Sequence, residues 1–180
     1  MEIRKVGVLG CGLMGSGIAE ISAKAGIPTV VREVSRELLD KGMARIHGSL
    51  AKAVEKGKLD AAARDQALAN LSGTTEFADL ADCDLVVEAI VENLDEKKRT
   101  FGALDAAVQP NAVFASNTSS LTITQIAMST KRPDRFVGLH FFNPVPVMKL
   151  VEVVRTIVTA DEAFDAAFAF AKAVGKEPIA

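Results

Sequence analysis

The chain has 180 residues, 49% of them hydrophobic, and a formal net charge of −2 at pH 7. This length is enough for one well-buried domain, and the charge leaves no general basic surface of the kind that nucleic acid requires. No apolar run approaches the roughly eighteen residues of a membrane span, and the first residues leave no room for a signal peptide. We therefore expect a globular protein that binds neither nucleic acid nor a membrane.

The two cysteines, Cys11 and Cys83, favour a reducing compartment. They are too few for a disulfide framework, and they lack the spacing of metal ligands. Cys11 lies inside a glycine-rich turn, where a small residue packs well. The sequence therefore predicts a cytoplasmic protein without a metal site.

Near the start of the chain, a short apolar run breaks directly into three glycines. Ile3–Leu9 has the composition of a buried parallel strand, and a helix is predicted over Leu13–Ala25. Gly10, Gly12 and Gly15 form the G-x-G-x-x-G turn, which allows a tight bend, a close approach to a pyrophosphate and close helix–strand packing. The predicted cofactor-binding residues here are Gly10, Gly12, Leu13, Met14 and Gly15.

A second predicted strand, Thr29–Glu33, ends in an acid. Glu33 follows the glycine turn by about twenty residues, which is the spacing of the carboxylate that hydrogen-bonds the adenosine ribose. Such a carboxylate would repel the 2′-phosphate of NADP, so the pattern predicts NAD. Arg32 and Arg36 argue the other way, because arginine accommodates that phosphate. A solvated charge at a strand end is the simpler alternative for Glu33.

Predicted helices and strands alternate along the rest of the chain. This alternation predicts an α/β fold with a Rossmann-type doubly wound, mostly parallel sheet, as one domain over 1–180 with a helical hairpin at about 35–71. The hairpin helices are Ser35–Lys58 and Leu59–Leu71; the later strands are Thr74–Phe77, Asp84–Ile90, Ala112–Ser116, Phe136–His140, Lys149–Val153 and Glu177–Ala180; the later helices are about Leu94–Val108, Thr122–Met128 and Asp161–Val174. Ligands of such sheets bind beyond the carboxyl ends of the strands, which draws attention to residues 88–92, 117–120 and 140–143.

His140 is predicted to end a strand at this edge. An imidazole suits general-base chemistry because its ordinary pKa is near neutrality, although a structural histidine is an equal alternative. Glu152 lies in an otherwise apolar strand, where a charge is costly unless it is paired. A histidine is a suitable partner, since the carboxylate would fix its tautomer and stabilise the imidazolium. The pattern favours a His140–Glu152 pair over a solvent-facing Glu152 on an edge strand.

Four segments together resemble the L-3-hydroxyacyl-CoA dehydrogenases, including the 3-hydroxybutyryl-CoA dehydrogenases. They are Gly-Cys-Gly-Leu-Met-Gly, Val-Val-Glu-Ala-Ile-Val-Glu-Asn, Ala-Ser-Asn-Thr-Ser-Ser-Leu and Gly-Leu-His-Phe-Phe-Asn-Pro-Val-Pro-Val-Met-Lys-Leu-Val-Glu-Val. The resemblance extends in order over essentially the whole chain. It implies reversible oxidation of L-3-hydroxyacyl-CoA to 3-oxoacyl-CoA with NAD, in fatty-acid or related CoA-thioester metabolism.

The resemblance also implies roles for individual residues. His140 and Glu152 would be the catalytic pair, and Ser119 and Asn143 would contact both substrate and cofactor. The positions implied near the nicotinamide are Glu92 and Lys97, of which Lys97 also faces the substrate. The positions implied for the CoA moiety are Ser49 and Lys56, although a solvated lysine is the simpler alternative for Lys56.

Two departures from the family pattern matter. Glu33 stands where the family commonly has aspartate, although its longer side chain should still reach a ribose hydroxyl. The family also continues into a helical domain that closes over the substrate and forms the homodimer contact, whereas this chain ends at Ala180. A binding module with little turnover is therefore one alternative to a working dehydrogenase. A dehydrogenase of free 3-hydroxy acids is another.

Overall fold

A computed structural model describes residues 1–118 and 122–180. Its centre is an eight-stranded sheet with the order β3-β2-β1-β4-β5-β6-β7-β8. Neighbouring strands are parallel except β6 and β7, which are antiparallel. This confirms the doubly wound, mostly parallel sheet. The strands are β1 (Val6–Leu9), β2 (Thr29–Arg32), β3 (Leu71–Thr74), β4 (Leu85–Glu88), β5 (Val113–Ser116), β6 (Phe136–Phe141), β7 (Leu150–Val154) and β8 (Glu177–Ile179).

Helices cover both faces of the sheet. Successive strand residues point to opposite faces, so each strand contributes apolar side chains to two cores. Val8 and Val87 pack in the core beneath α1, α2 and α6, whereas Leu9 and Val86 pack in a second core with Phe101 of α4. None of the helices in the described part of the chain is long and apolar enough to cross a membrane. The helices are α1 (Leu13–Lys24), α2 (Arg36–Glu55), α3 (Ala61–Ala69), α4 (Leu94–Ala107), α5 (Ile123–Ala127) and α6 (Asp161–Ala173), with 3₁₀ turns at Phe77–Leu80 and Pro133–Arg135.

Both helices of the hairpin are capped by a side chain at their first turn. Ser35 accepts a hydrogen bond from the Leu38 amide, and Asp60 accepts one from the Ala63 amide, which satisfies the first turns of α2 and α3. Both helices end earlier than the sequence suggests, since α2 ends at Glu55 and α3 ends at Ala69.

The predicted strand Thr74–Phe77 is wrong, because β3 begins at Leu71 and ends at Thr74. Its Ser-Gly centre is a weak strand signal. Gly73 packs closely against α2, since a Cβ there would lie 2.9 Å from Leu39 Cδ1. The missing side chain lets Leu39 of α2 pack closely onto this edge strand, which pairs with β2 from Leu71 to Thr74.

The carboxyl ends of the central strands lie side by side at one end of the sheet, which we call the site edge. The register pairs Leu9 with Glu88, Glu88 with Ser116 and Ser116 with Gly138. β6 extends beyond this row, and the Phe141 amide donates a 2.8 Å hydrogen bond to Asn117 Oδ1. The fold therefore brings residues from distant parts of the sequence to one edge.

A buried ion pair lies at the opposite end of the sheet, near the amino-terminal ends of the strands. Arg132 Nε donates to Asp105 Oδ1 at 2.6 Å, and both side chains are less than a tenth exposed. The remaining guanidinium nitrogens of Arg132 donate to carbonyls at the end of α4, including those of Val108 and Gln109. This pair therefore joins α4 to the segment that follows α5.

We expect Asp105→Asn to lower the free energy of unfolding by about 3 kcal/mol, because it leaves a buried guanidinium without its counter-charge. Chemical denaturation of the two proteins measures this difference. The control is Asp65→Asn, which breaks an exposed pair with Arg64 and should change stability by less than about 1 kcal/mol. Equal effects of the two substitutions would contradict the assignment.

Candidate functional site

The shape of the turn requires glycine at Gly10 and Gly15 but not at Gly12. Gly10 has φ +89°, in the left-handed region that favours glycine. A Cβ on Gly15 would collide with the Gly10 carbonyl oxygen, so the third glycine permits the close packing of α1 on β1. A Cβ on Gly12, in contrast, would meet no protein atom within 4 Å. The space beside Gly12 is therefore open to a ligand.

The start of α1 lies at this open space. Gly12 is the N-cap residue of the helix, and no side chain caps its first turn. The first amides of a helix are unpaired and carry the positive end of the helix dipole, so they attract phosphate. Gly12, Leu13, Met14 and Gly15 thus form a site that fits the pyrophosphate of a dinucleotide.

Glu33 is held against the glycine turn. Its Oε2 accepts a 2.7 Å hydrogen bond from the Cys11 amide, and its Oε1 accepts one from the Val34 amide. A cavity of about 400 Å³ adjoins it, lined in part by Gly10, Gly12 and Ile90. The carboxylate therefore lies at the wall of a cavity that adjoins the glycine turn.

The neighbouring arginines have partners of their own, although Arg32 also lines the cavity beside Glu33. Arg32 Nε donates to the Thr75 carbonyl, and its guanidinium lies 3.9 Å from the centre of the Phe77 ring. Burial lowers the pKa of Arg32. Arg36 forms an ion pair with Asp40 on α2. These contacts restrain Arg32, but it still lines the cavity and remains the alternative ligand for a 2′-phosphate.

Cys11 packs against the helical hairpin. A Cβ on Gly42 of α2 would collide with Cys11, and Arg45 donates to the Cys11 carbonyl at 3.4 Å. Burial and then the charge of Glu33 raise the pKa of Cys11 to about 11. The thiol thus stays protonated at neutral pH, and its role is packing. Sequence reasoning missed Gly42, because its function depends on a contact with the distant turn.

A buried network of charges lies at the ends of β4 and β5. Lys97 Nζ donates to Glu88 Oε2 at 2.7 Å, and both side chains are fully buried. Lys97 Nζ also lies 3.4 Å from Glu92 Oε1, while Thr118 donates to the other oxygen of Glu92. Ser116 donates to Glu88 Oε1 at 2.5 Å.

This network changes the interpretation of Lys97. The Lys97 side chain has no exposed surface, so it cannot contact a ligand directly. It contacts Glu92 instead, whose side chain is 48% exposed. Sequence reasoning assigned no role to Glu88. The signal was present, because an acid at the end of an apolar strand needs a partner for the same reason that Glu152 does.

His140 and Glu152 face each other across β6 and β7. They are direct partners in the antiparallel register, and His140 Nδ1 lies 3.1 Å from Glu152 Oε1. The Phe142 ring packs 4.5 Å from the imidazole, which is mostly buried. β7 lies between β6 and β8, so Glu152 is not on an edge strand, although its side chain is 44% exposed. The structure brings the expected pair together.

Two further residues, Asn143 and Ser119, are expected beside this pair. Asn143 is exposed and lies two residues after the end of β6. Ser119 lies outside the described residues.

Lys176 holds the turn that follows Asn143. Lys176 Nζ donates to the carbonyls of Val145 and Met148 at 2.5 and 2.7 Å, and its side chain is largely buried. Burial lowers the pKa of Lys176, and the charges of Lys24 and Lys149 lower it further. Sequence reasoning missed Lys176, which holds two carbonyls of the turn at residues 144–148.

The helical hairpin borders a basic cleft. A cavity of about 440 Å³ separates α1 and α2 from Pro146 and Val147, and both Ser49 and Lys56 line it. The other lysines that line this cavity are Lys24, Lys52 and Lys58, and Glu20, which also lines it, forms an ion pair with Lys24. The cleft thus combines a hydroxyl with several positive charges, which suits a phosphorylated ligand. Among residues 1–118 and 122–180, no group of three or more His, Cys, Asp or Glu side chains is placed to hold a metal ion.

We expect Gly12→Ala to weaken NADH binding with little loss of stability, and Gly15→Ala to lower the stability of the fold. The methyl group of Gly12→Ala enters open space, so stability should fall by at most about 1 kcal/mol, while NADH affinity falls at least about tenfold by loss of the pyrophosphate contact. Gly15→Ala collides with backbone and should destabilise the fold by about 1–3 kcal/mol. Fluorescence titration with NADH and thermal unfolding measure the two effects.

Gly48→Ala is the matched control, since a Cβ there also meets no atom within 4 Å but lies on α2. It should leave NADH affinity unchanged. Equal NADH affinity in Gly12→Ala and Gly48→Ala would contradict the pyrophosphate site.

Comparison with known proteins agrees with this geometry. The chain is 50% identical over 179 residues to a 3-hydroxybutyryl-CoA dehydrogenase of Mycobacterium tuberculosis, with 98% of the chain and 63% of the relative covered. It is 46% identical over 175 residues to one of Bradyrhizobium diazoefficiens, with 97% of the chain and 60% of the relative covered. The chain therefore spans less than two thirds of these relatives.

Solved structures show the same fold. The crystal structure of M. tuberculosis FadB2 matches with a TM-score of 0.97 at 49% identity, covering 99% of this chain and 64% of that one. The crystal structure of (S)-3-hydroxybutyryl-CoA dehydrogenase from Ralstonia eutropha matches with a TM-score of 0.96 at 44% identity, covering 99% and 63%. The model of one protein family, 3-hydroxyacyl-CoA dehydrogenase, NAD binding domain, matches residues 5–180. The chain belongs to this family.

Proposed function

We propose that the chain is the NAD-binding and acid–base part of an L-3-hydroxyacyl-CoA dehydrogenase. The reaction is the reversible oxidation of L-3-hydroxyacyl-CoA, such as 3-hydroxybutyryl-CoA, to 3-oxoacyl-CoA. The observation that carries the proposal is the 3.1 Å contact of His140 with Glu152 at the sheet edge that also carries the glycine turn. The names of the relatives support the substrate class. In this proposal residues 1–180 form a single domain, with the hairpin as part of it.

In this mechanism His140 acts as the general base. Its Nδ1 faces Glu152, which leaves Nε2 to take the proton of the substrate hydroxyl. Glu152 accepts the Nδ1 hydrogen, fixes the tautomer and stabilises the imidazolium that forms. Bound NAD supplies the hydride acceptor for the carbon that bears the hydroxyl. Asn143 and Ser119 orient the substrate oxygen in this proposal, together with the cofactor.

Contacts of the CoA moiety are assigned to the basic cleft. Ser49 offers a hydroxyl, and Lys56 offers a point charge for a phosphate, as do the lysines around it. Glu92 is the exposed end of the buried charge network and is assigned to the nicotinamide side. Lys97 acts through Glu92 in this assignment, because its own side chain is fully buried.

The remainder of the longer relatives would close the site and form the homodimer contact. Closure excludes water and completes the substrate-binding surface in many enzymes. The specific alternative is that residues 1–180 alone bind NAD and the CoA end of the substrate but turn over slowly. The exposure of Glu152 supports this alternative.

We expect His140→Gln to lower turnover by about 10²–10⁴-fold, because a positioned acid–base group contributes that much. Glu152→Gln should have a smaller effect of about 10–100-fold, since the base remains. The assay follows NADH oxidation with acetoacetyl-CoA by the 180-residue chain. His47→Gln is the control, because His47 is the other histidine and lies exposed on α2.

Each outcome of this assay has a distinct meaning. Retention of full turnover in His140→Gln would remove His140 from the mechanism. Binding of NADH and acetoacetyl-CoA without turnover by the wild-type chain would establish the binding module. Equal turnover of acetoacetate and acetoacetyl-CoA would favour a dehydrogenase of free 3-hydroxy acids.

We expect the chain to bind NADH more tightly than NADPH, because the Glu33 carboxylate would face the 2′-phosphate. Glu33→Gln removes that repulsion and should lower the ratio of the Kd of NADPH to the Kd of NADH by about tenfold. Fluorescence titration with both cofactors measures it. Glu55→Gln, an exposed acid at the end of α2, is the control and should leave the preference unchanged. Tighter binding of NADPH by the wild-type chain would overturn the assignment.

A further inference from the structure

Two carboxylates share one ammonium group at the ends of β4 and β5. Lys97 Nζ lies 2.7 Å from Glu88 Oε2 and 3.4 Å from Glu92 Oε1. Glu88 also accepts hydrogen bonds from the Ile90 amide and from Ser116 Oγ. Three donors on one carboxylate are what an ionised acid accepts. The cluster of Glu88, Lys97 and Glu92 therefore has a net charge of −1.

This charge is poorly screened by water. Glu88 and Lys97 have no exposed side-chain surface, and only Glu92 is open to solvent. A charge in a protein interior acts more strongly on its surroundings than one in bulk water. A second buried ion pair elsewhere in the chain, Arg132 with Asp105, is neutral as a pair.

The cluster lies between the two halves of the proposed site. Ala89, next to Glu88, has its carbonyl directly beneath Gly10, since a Cβ on Gly10 would come within 2.6 Å of it. On the other side, the Asn117 amide donates to the Glu88 carbonyl, and Asn117 Oδ1 holds the Phe141 amide at the end of β6. Glu88 thus lies between the glycine turn and the strand that carries His140.

We propose that Glu88 is a positioning residue that fixes Lys97 and Glu92 and keeps the cluster at −1, which favours binding of oxidised over reduced cofactor. This inference rests on the proposed function. The nicotinamide ring is positively charged in NAD⁺ and neutral in NADH, so a net negative charge nearby stabilises the oxidised form. Removal of the Glu88 charge would leave Lys97 and Glu92 as a neutral pair.

The test compares cofactor affinities by isothermal titration calorimetry on the 180-residue chain. In Glu88→Gln, the ratio of the Kd of NAD⁺ to the Kd of NADH should rise about tenfold, as for a unit charge acting over about 10 Å at an effective dielectric constant of about 20. The double variant Glu88→Gln/Lys97→Met restores the net charge of −1 through Glu92 alone. Its ratio should return to the wild-type value.

A purely structural role makes a different prediction. It would weaken binding of NAD⁺ and NADH equally, and the double variant would be no better than the single one. Asp105→Asn is the matched control, because it breaks a buried ion pair at the opposite edge of the sheet. It should lower the melting temperature and leave the affinity ratio unchanged.

The remaining outcomes also decide between the proposals. Failure of the wild-type chain to bind either cofactor would contradict the proposed function. Binding of both cofactors, with a ratio of Kd values that does not change in Glu88→Gln, would contradict only this inference. Should Glu88→Gln not fold, Glu92→Gln removes the same charge at the half-exposed end, and an unchanged ratio there would overturn the inference.

Discussion

The parallel register of β1, β4, β5 and β6 is the constraint on which the site depends. Hydrogen bonding along the sheet aligns Leu9, Glu88, Ser116 and Gly138 in one row. Because parallel strands end on the same side, the loops that follow them open at one edge. The glycine turn, the buried charge cluster and His140 are neighbours for this reason, although they are far apart in the sequence. A shift of register in any of these pairs would separate them.

Sequence reasoning succeeded where a residue's purpose follows from a local pattern or a general cost. The glycine turn has a fixed spacing, and Gly10 and Gly15 do in the structure what that spacing requires, while the space beside Gly12 is open. The pairing of His140 with Glu152 followed from the cost of a charge in an apolar strand. The same rule applied to Glu88 would have predicted a partner. It would not have identified Lys97, because the choice among basic residues depends on how α4 packs.

The missed features depend on contacts between distant segments. Gly73 looks unsuited to a strand until Leu39 is seen to pack against it, and Gly42 has a purpose only because Cys11 lies above it. Lys176 resembles any lysine before a short strand, yet its ammonium holds two carbonyls of the turn beginning at Pro144. Periodicity and propensity describe one segment at a time. They therefore cannot show which small residue makes room for which neighbour.

The charges around the site are unevenly distributed, although Glu20 lies in the lysine-rich cleft and Lys97 lies among the acids, and this distribution supports the proposed substrate. Acids occupy the sheet edge, where Glu33, Glu92 and Glu152 are each held by a hydrogen bond or an ion pair. Lysines gather instead at the cleft beside Ser49. A CoA thioester has the same division, since its phosphates are remote from the carbon that reacts. Phosphates attracted to the hairpin cleft would leave the acidic edge to the proton transfer and to the cationic nicotinamide. The free 3-hydroxy acids have no phosphate, so the lysines of the cleft would have no counterpart in them.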